Sequence, residues 1–142
     1  MKEGISLLIV DDDADDRNLF IETMKEVDED IKCISANDGQ QALDFLKNSP
    51  SLPDFIFLDL RMPRIGGRKC LFEIKKDERL KPIPVIIYTT SNEVEESKAL
   101  IEMGAVYFIS KPSNPEELYY LVSFVLEEQL RAYPMKSKKR IL

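Results

Sequence analysis

Histidine is absent from the 142-residue sequence, and this absence limits the chemistry that the chain can carry. Without an imidazole there is no histidine general base, and most transition-metal sites lose their usual ligand. Carboxylate, carbonyl and hydroxyl oxygens remain, and these atoms suit hard cations such as Mg²⁺ or Ca²⁺. Any metal site in this chain is therefore expected to consist of oxygen ligands.

Cysteine and long apolar runs are scarce as well. The two cysteines, Cys33 and Cys70, lie far apart, and the N-terminus has no signal-peptide pattern. We therefore expect free buried thiols in a cytoplasmic protein, rather than a disulfide or a metal site. No apolar run approaches the length of a membrane span, so a membrane partner is not expected. The length is typical of one domain with a sizeable core.

Basic residues are few in the body of the chain and concentrated at its end. Residues 131–142 hold five basic and no acidic residues, whereas the other 130 hold 15 basic and 26 acidic residues, a balance of −11. An acidic body argues against nucleic acid as the main partner. We expect one folded domain over residues 1–130 and a basic, solvated C-terminal tail over residues 131–142.

Five short apolar runs alternate with five segments of helical periodicity. The predicted strands cover residues 5–10, 31–36, 55–58, 85–88 and 106–109, and the second is the least apolar, as at a sheet edge. The predicted helices begin near Ala14, Gln40, Gly67, Asn92 and Asn114. Short connections between alternating strands and helices predict an α/β fold with a doubly wound parallel sheet. The flavodoxin-like strand order 2-1-3-4-5, with five helices, fits five strands best.

The first and last helices carry apolar stripes at spacings of three and four residues. The inward stripe of the first helix is predicted to be Leu19, Phe20, Met24 and Val27. That of the last helix is predicted to be Leu118, Leu121, Val122 and Val125. A second apolar face of the last helix holds Tyr119, Tyr120, Phe124 and Leu126. This face predicts a surface for a partner protein or a homodimer, or else burial under the C-terminal tail.

Polar residues follow four of the predicted strands. Asp11 and Asp12 follow the first strand, Asp59 the third, Thr89 the fourth and Lys111 the fifth. Since parallel strands end at the same edge of a sheet, these groups are expected to meet. Three carboxylates repel one another unless a cation lies among them, and Mg²⁺ suits such ligands. A cation, a lysine and a hydroxyl around one carboxylate predict a phosphoryl pocket with that carboxylate as nucleophile.

Each of these residues alone has an ordinary structural interpretation. The run Asp11-Asp12-Asp13 also fits an acidic helix N-terminus that complements the helix dipole. Thr89 alone fits a cap or a turn, and Lys111 alone fits a surface lysine. Their joint occurrence, at the ends of strands in one predicted sheet, favours the functional interpretation.

Over about residues 5–130 the chain resembles the receiver domain of two-component response regulators. Four groups of motifs carry the resemblance. They are Leu8-Ile9-Val10-Asp11-Asp12, then Asp59-Leu60-Arg61-Met62-Pro63 with Gly67, then Pro84-Val85-Ile86-Ile87-Tyr88-Thr89, and finally Gly104-Ala105 with Lys111-Pro112. The resemblance implies a phosphoacceptor signalling switch that requires Mg²⁺.

The resemblance implies that Asp59 takes a phosphoryl group from a sensor histidine kinase or a histidine phosphotransfer protein. The resemblance implies that the Asp11, Asp12 and Asp59 side chains hold Mg²⁺ together with the backbone carbonyl of Arg61. Self-phosphorylation from a phosphodonor and autodephosphorylation would be its only chemistry, so the chain is not expected to be an enzyme in its own right.

The resemblance also assigns the remaining strand ends. Thr89 and Lys111 would contact the phosphoryl group, and Phe108 would be the aromatic residue that moves with Thr89 when the switch changes state. The Lys111–Pro112 peptide bond is expected to be cis. Three features depart from the common pattern: Gly66 precedes Gly67, Thr90 follows Thr89, and Phe108 lacks a tyrosine hydroxyl.

Output is expected through contact with a downstream protein, because the segment after the last predicted helix is too short for a DNA-binding module. The chain resembles single-domain, chemotaxis-like regulators, and the Thr89-Thr90-Ser91 run with the C-terminal extension is similar to the phytochrome-partner group. Two alternatives stay open. One is a pseudo-receiver that docks without phosphorylation. The other is a Mg²⁺-dependent aspartyl-phosphate phosphatase of the haloacid dehalogenase type, for which Asp11 and Asp13 have the required spacing.

Overall fold

Five parallel strands form a single sheet in the computed structural model, which describes residues 4–90 and 94–132. The strands are β1 (Ser6–Val10), β2 (Lys32–Ala36), β3 (Phe55–Leu58), β4 (Val85–Thr89) and β5 (Tyr107–Ser110). Their order is β2-β1-β3-β4-β5, which confirms the predicted flavodoxin-like topology. The bounds of each strand lie within one residue of the predicted ones.

A helix follows each strand. The helices are α1 (Ala14–Val27), α2 (Gly39–Asn48), α3 (Gly67–Lys76), α4 (Val94–Glu102) and α5 (Pro115–Ala132). Aspartate side chains cap the first two helices: Asp13 accepts from the Asp15 and Asp16 N–H groups, and Asp38 accepts from the Gln41 N–H. The predicted cap of α4 at residue 92 lies outside the described residues, as does the 133–142 part of the basic tail.

The position of each strand in the sheet follows from its composition. Every residue of β1, β3 and β4 is buried, because helices cover both faces of the central strands. β2 has a single fully buried residue, Ala36, and forms one edge, as its weaker apolar character predicts. β5, the other edge strand, exposes Ser110.

Two apolar layers enclose the sheet. One layer includes Leu46 of α2, Leu71 of α3 and Leu100 of α4. The other contains side chains of α1 and α5 and is centred on the rings of Phe20 and Phe57. The centroids of these two rings lie 4.8 Å apart, a spacing at which tilted aromatic pairs attract each other. This packing fixes the strands whose ends carry the polar residues.

Part of the predicted helix burial is wrong. Leu19 on α1 and Leu121 on α5 are each 36% exposed, whereas Leu126 is fully buried. Among residues 115–129 of α5, whose side chains the structure describes, the buried apolar ones are Leu118, Val122, Val125 and Leu126. These four positions follow spacings of four, three and one, so Leu126 belongs to the core face and Leu121 lies to one side of it.

The thiols of Cys33 and Cys70 are free, as predicted. Cys70 is buried and Cys33 is half-buried. Burial raises the pKa of Cys33 to about 11 and that of Cys70 to about 12. Both thiols are therefore neutral near pH 7 and are poor nucleophiles, which assigns them to packing.

No helix in the described ranges is both long enough and apolar enough to cross a membrane.

The expectation of a cis peptide bond is wrong. Within residues 4–90 and 94–132 all peptide bonds are trans, including Lys111–Pro112. The trans form is the one that an X–Pro bond intrinsically favours. The preceding peptide unit is held to β4, because the Lys111 N–H donates to the Thr89 carbonyl at 2.7 Å.

Candidate functional site

The backbone holds Asp11 and Asp59 side by side at the carboxyl edge of the sheet. Val10 pairs with Leu58 in the β1–β3 register, so the next residue of each strand leaves the core at the same level. The Asp59 N–H still donates to the Val10 carbonyl at 2.9 Å, and the Asp11 N–H donates to the Ala36 carbonyl at 3.1 Å. Both aspartates are therefore anchored through their backbones.

Three carboxylates converge at this edge. One oxygen from each of Asp11, Asp12 and Asp59 lies within 4.8 Å of the others. Asp11 and Asp59 are 0% and 6% exposed, and Asp12 is exposed. Burial raises the pKa of Asp11, while its hydrogen bond with Lys111 acts in the opposite direction. A compact, oxygen-only donor set that includes buried acids fits a hard divalent cation.

Lys111 provides the positive charge of the site. Its Nζ lies 2.6 Å from an oxygen of Asp11, 2.8 Å from Asp16 and 3.5 Å from Asp59, and the side chain is 9% exposed. Burial acts to lower the pKa of Lys111, but the hydrogen bonds to Asp11 and Asp16 outweigh it and raise the pKa above its usual value. Lys111 is therefore an ammonium throughout the physiological pH range.

The carboxylates of Asp11 and Asp59 differ in how firmly they are held. Asp11 accepts from the Asp13 N–H at 3.0 Å as well as from Lys111. Asp59 has two long contacts, from the Arg61 N–H at 3.4 Å and from Lys111 at 3.5 Å. Hydrogen bonds at these distances are weak, so the Asp59 oxygens are the more available for reaction.

Thr89 completes the row of strand ends. It is the last residue of β4 and is fully buried, and its hydroxyl has no hydrogen-bond partner among the described residues. A buried hydroxyl without a partner costs about 1–3 kcal/mol. The Thr89 carbonyl binds the Lys111 N–H, so the two residues are tied together at adjacent strand ends. The hydroxyl is thus a donor suited to a ligand oxygen.

The loop between β3 and α3 closes against the end of β3. The Gly67 N–H donates to the Leu60 carbonyl at 2.9 Å. A side chain at Gly67 would meet the Asp59 carbonyl oxygen at 2.2 Å, so this close approach requires glycine. Arg64, at a positive φ of 63°, forms an ion pair with Asp38 at the start of α2. The loop is thereby held to the end of β3 through Gly67 and to the start of α2 through Arg64.

Arg61 follows Asp59 by two residues, and its guanidinium pairs with α4. This group is 60% exposed and lies 3.5 Å from Glu96, and Arg68 lies 3.6 Å from the same carboxylate group. Glu96 therefore links the loop and α3 to α4.

Asp16, Tyr88 and Arg17 belong to the site but were not predicted from sequence, and the Arg17 guanidinium donates to the Asp11 carbonyl at 2.7 Å. Asp16 belongs to the acidic first turn of α1, where helix-dipole stabilisation alone explains an aspartate. Its contact with Lys111 spans 95 positions and depends on the folded chain. The ring centroid of Tyr88 lies 5.4 Å from the Lys111 Nζ. The sequence did not reveal this contact, because a tyrosine within an apolar strand is expected only to pack in the core. Tyr88 also packs in the core, since it is 3% exposed.

The other predicted residues have separate places. Phe108 lies in β5, partly buried against the layer of α2, α3 and α4. Tyr119 is half-buried on α5, whereas Tyr120 and Phe124 are 69% and 57% exposed. Thr90 is exposed, and residue 91 lies outside the described residues.

The phosphatase alternative required the Asp13 carboxylate to act as a second catalytic group. Instead, this carboxylate accepts hydrogen bonds from the first turn of α1, at 2.9 and 3.1 Å, and the residue is exposed. Asp13 is a helix cap, and the carboxylate cluster consists of Asp11, Asp12 and Asp59.

Comparison with known proteins shows which family the chain belongs to. The family model of the response regulator receiver domain matches residues 7–123. The chain belongs to the response regulator receiver family. This receiver is therefore a phosphoacceptor module of two-component signalling, for which a histidine kinase is the general partner. Receivers of this family generally act as switches rather than as enzymes.

The proteins similar to this receiver include phytochrome response regulators. The response regulator Rcp1 of Synechocystis sp. is 36% identical over 131 residues, which cover 85% of this chain and 88% of Rcp1. The crystal structure of the phosphorylated cyanobacterial phytochrome response regulator RcpA has 28% identity and a TM-score of 0.84, with 94% of this chain and 99% of RcpA covered.

A crystal structure of Rcp1 in its Mn²⁺-bound form has 30% identity and a TM-score of 0.75, covering 96% of this receiver and 98% of that chain. Receivers bind divalent metal, and the cluster of Asp11, Asp12 and Asp59 is the candidate site here. Some curated relatives are longer, and the chain spans 54% of the response regulator Rre1 of Synechocystis sp..

Proposed function

We propose that Asp59 accepts a phosphoryl group from the phosphohistidine of a sensor kinase or phosphotransfer protein, in a cytoplasmic two-component system or phosphorelay. The observation that carries this proposal is the state of the Asp59 carboxylate. It is buried beside Asp11 and Lys111, yet its own hydrogen bonds are 3.4 and 3.5 Å long. A carboxylate that is anchored by its backbone but weakly bound at its oxygens is suited to act as a nucleophile.

In the transfer, an Asp59 oxygen forms a bond to phosphorus while the bond from phosphorus to the donor histidine nitrogen breaks. The products are an acyl phosphate on Asp59 and an unphosphorylated histidine on the donor. Lys111, which starts 3.5 Å from Asp59, turns toward the new phosphoryl oxygens, and the Thr89 hydroxyl donates to one of them. Both contacts stabilise negative charge on the transferred group.

The carboxylates of Asp11, Asp12 and Asp59, with the backbone carbonyl of Arg61, are proposed to hold Mg²⁺. The donor set supports this choice because the three clustered side chains offer oxygen alone and two of them are buried. When bound, the cation neutralises charge on the transferred phosphoryl oxygens. Asp11 keeps its orientation because the Asp13 N–H binds its carboxylate and Arg17 binds its carbonyl, at 2.7 Å.

Phosphorylation is proposed to alter a protein-binding face through Thr89 and Phe108. Inward movement of Thr89 toward the phosphoryl group leaves space for the Phe108 ring, which is already partly buried. The phosphoryl group shifts this equilibrium only through contacts that differ between the two states. Since the chain outside residues 131–142 is acidic, the downstream partner is proposed to be a protein rather than nucleic acid.

The kinase is proposed to be of the phytochrome type. Similarity to RcpA and Rcp1 over most of both chains supports this choice.

The receiver domain is proposed to span residues 1–130, with residues 131–142 as a basic tail.

Acetyl phosphate with Mg²⁺ is expected to add one phosphoryl group to the wild-type chain, as measured by intact mass. Chelation of the cation should prevent the addition, and so should Asp59→Asn, because an amide is a poor nucleophile. A pseudo-receiver would gain no mass. Addition that persists in Asp59→Asn would contradict the proposal.

Replacement of Asp16 by asparagine is expected to raise the rate of phosphorylation by acetyl phosphate about threefold. Hydrogen bonds to charged groups contribute roughly 1.5–3 kcal/mol, and partial loss of this one frees Lys111 for the phosphoryl group. Asp15→Asn, which changes an exposed acid in the same helical turn, is the control. A slower reaction in Asp16→Asn would instead indicate that Asp16 orients Lys111 for transfer.

The exposed aromatic residues of α5 are proposed to belong to the surface that binds a downstream protein or a second copy of the chain. Tyr119 packs against Tyr120 with ring centroids 5.3 Å apart, and Phe124 lies one turn after Tyr120. If the surface joins two copies, Tyr120→Glu and Phe124→Glu should each convert a dimer to a monomer in sedimentation velocity. A wild-type monomer would exclude the second copy as the occupant.

A further inference from the structure

The segment that contains α3 has a charge opposite to that of the rest of the chain. Residues 67–81 contain six basic and three acidic residues, a balance of +3, whereas the other positions contain 14 basic and 23 acidic residues. The side chains of Lys69 and Lys76 are 63% and 60% exposed, and that of Arg68, which pairs with Glu96 of α4, is 51% exposed. An exposed basic patch on an acidic domain attracts negatively charged groups selectively.

An exposed aromatic ring lies within this patch. Phe72 is 50% exposed, and the Nζ atoms of Lys69 and Lys76 lie 5.9 and 5.4 Å from its ring centroid. Both lysines also approach Glu73, at 3.7 and 3.5 Å. Such surface ion pairs contribute little free energy, so an incoming carboxylate can replace Glu73 at low cost.

Beside the ring is a groove of about 190 Å³, lined by Phe72, Lys75, Lys76 and Met103. We call it the α3 groove. The Lys75 Nζ donates to the backbone carbonyls of residues 81 and 83, both at 2.9 Å. The methylene chain of Lys75 lies so close to Gly104 that a Cβ there would meet it at 3.1 Å. Because these contacts fix the Lys75 chain, the groove is formed before any ligand arrives.

We propose that the α3 groove binds an acidic, amphipathic segment of a partner protein. An apolar side chain of the segment occupies the groove against Phe72 and Met103, and its flanking carboxylates pair with Lys69 and Lys76. Apolar anchors in pockets, surrounded by contacts that exclude water, are the usual arrangement at protein interfaces. A large polyanion is disfavoured because it would also meet the acidic remainder of the domain. This surface is separate from the aromatic residues of α5.

The test is a selection from a phage-displayed library of random 16-residue peptides against the full chain. The library is first depleted on the Phe72→Ala variant and then selected on the wild-type chain. We expect enriched peptides with a net negative charge and at least one large apolar residue. Their affinity should fall about tenfold or more for Lys69→Glu/Lys76→Glu, as expected on loss of interface anchors, and stay unchanged for Phe124→Ala.

Phe72 and Phe124 are both exposed aromatic residues on helices, which makes Phe124→Ala a matched control. Thermal unfolding of each variant checks that the fold is retained. The proposal is overturned if no peptide is enriched, if the enriched peptides are neutral or basic, or if they bind the doubly charge-reversed variant as tightly as wild type. Self-association of the chain that Phe72→Ala abolishes would identify a second copy as the occupant and would also overturn it.

Discussion

Replacement of Lys111 by methionine is expected to lower the free energy of unfolding by about 3 kcal/mol in metal-free buffer, as found when one partner of a buried ion pair is removed. The variant leaves the buried acids Asp11 and Asp59 without the ammonium that lies 2.6 and 3.5 Å away in the wild-type chain. Mg²⁺ should restore much of this loss, because a bound cation neutralises the same carboxylates. Urea denaturation with EDTA or with Mg²⁺ measures both effects.

The control for Lys111→Met is Lys69→Met, which removes a lysine that is 63% exposed on α3. It is expected to change stability by less than about 0.5 kcal/mol, whether or not Mg²⁺ is present. If Lys111→Met behaved like this control, Lys111 would not neutralise the cluster. If its loss were the same with and without Mg²⁺, the cluster would not be a cation site.

Replacement of Gly67 by alanine is expected to cost about 3 kcal/mol or more, at the upper end of effects from overpacking. The added Cβ would lie 2.2 Å from the Asp59 carbonyl oxygen and 2.7 Å from the Leu60 Cα. Both are backbone atoms directly after β3, so relief requires movement of the Asp59–Leu60 segment itself. Phosphorylation by acetyl phosphate should therefore slow along with the loss of stability. Chemical denaturation and intact-mass kinetics measure the two effects.

Gly66→Ala is the matched control, because it adds the same methyl group one residue earlier. The nearest neighbour of its Cβ would be the Leu60 carbonyl oxygen, at 3.3 Å. With a φ of −73°, the Gly66 backbone also suits an L-residue. A change within about 1 kcal/mol is expected, since a shift of a few tenths of an ångström relieves the contact. Equal losses in Gly66→Ala and Gly67→Ala would contradict the steric explanation.

The fold and the chemical groups of the site could be predicted because each depends on local pattern. Short apolar runs mark the strands, and their alternation with helices restricts the sheet to few strand orders. Once the order is chosen, Asp11, Asp59 and Lys111 must end at one edge of the sheet. The structure brings them together there, with Lys111 in contact with both acids.

Features that depend on helix rotation or on contacts distant in sequence could not be predicted in the same way. Successive helical residues are about 100° apart around the helix axis. A small error in the predicted position of the buried face therefore assigns Leu121 to the core and Leu126 to the surface, the reverse of what the structure has. The role of Asp16 requires the first turn of α1 to meet Lys111. An acidic residue in a first helical turn already has a local explanation, so the sequence contains no signal for this contact.

The role of Asp59 as phosphoacceptor is tested most directly by locating the phosphoryl group on the chain. After reaction with acetyl phosphate and Mg²⁺, borohydride reduces an aspartyl phosphate to homoserine, and tandem mass spectrometry of peptides finds the modified position. Homoserine is expected at position 59 and at no other aspartate. Homoserine at position 11, 12 or 13, or a phosphate on a hydroxyl side chain with position 59 unmodified, would contradict it.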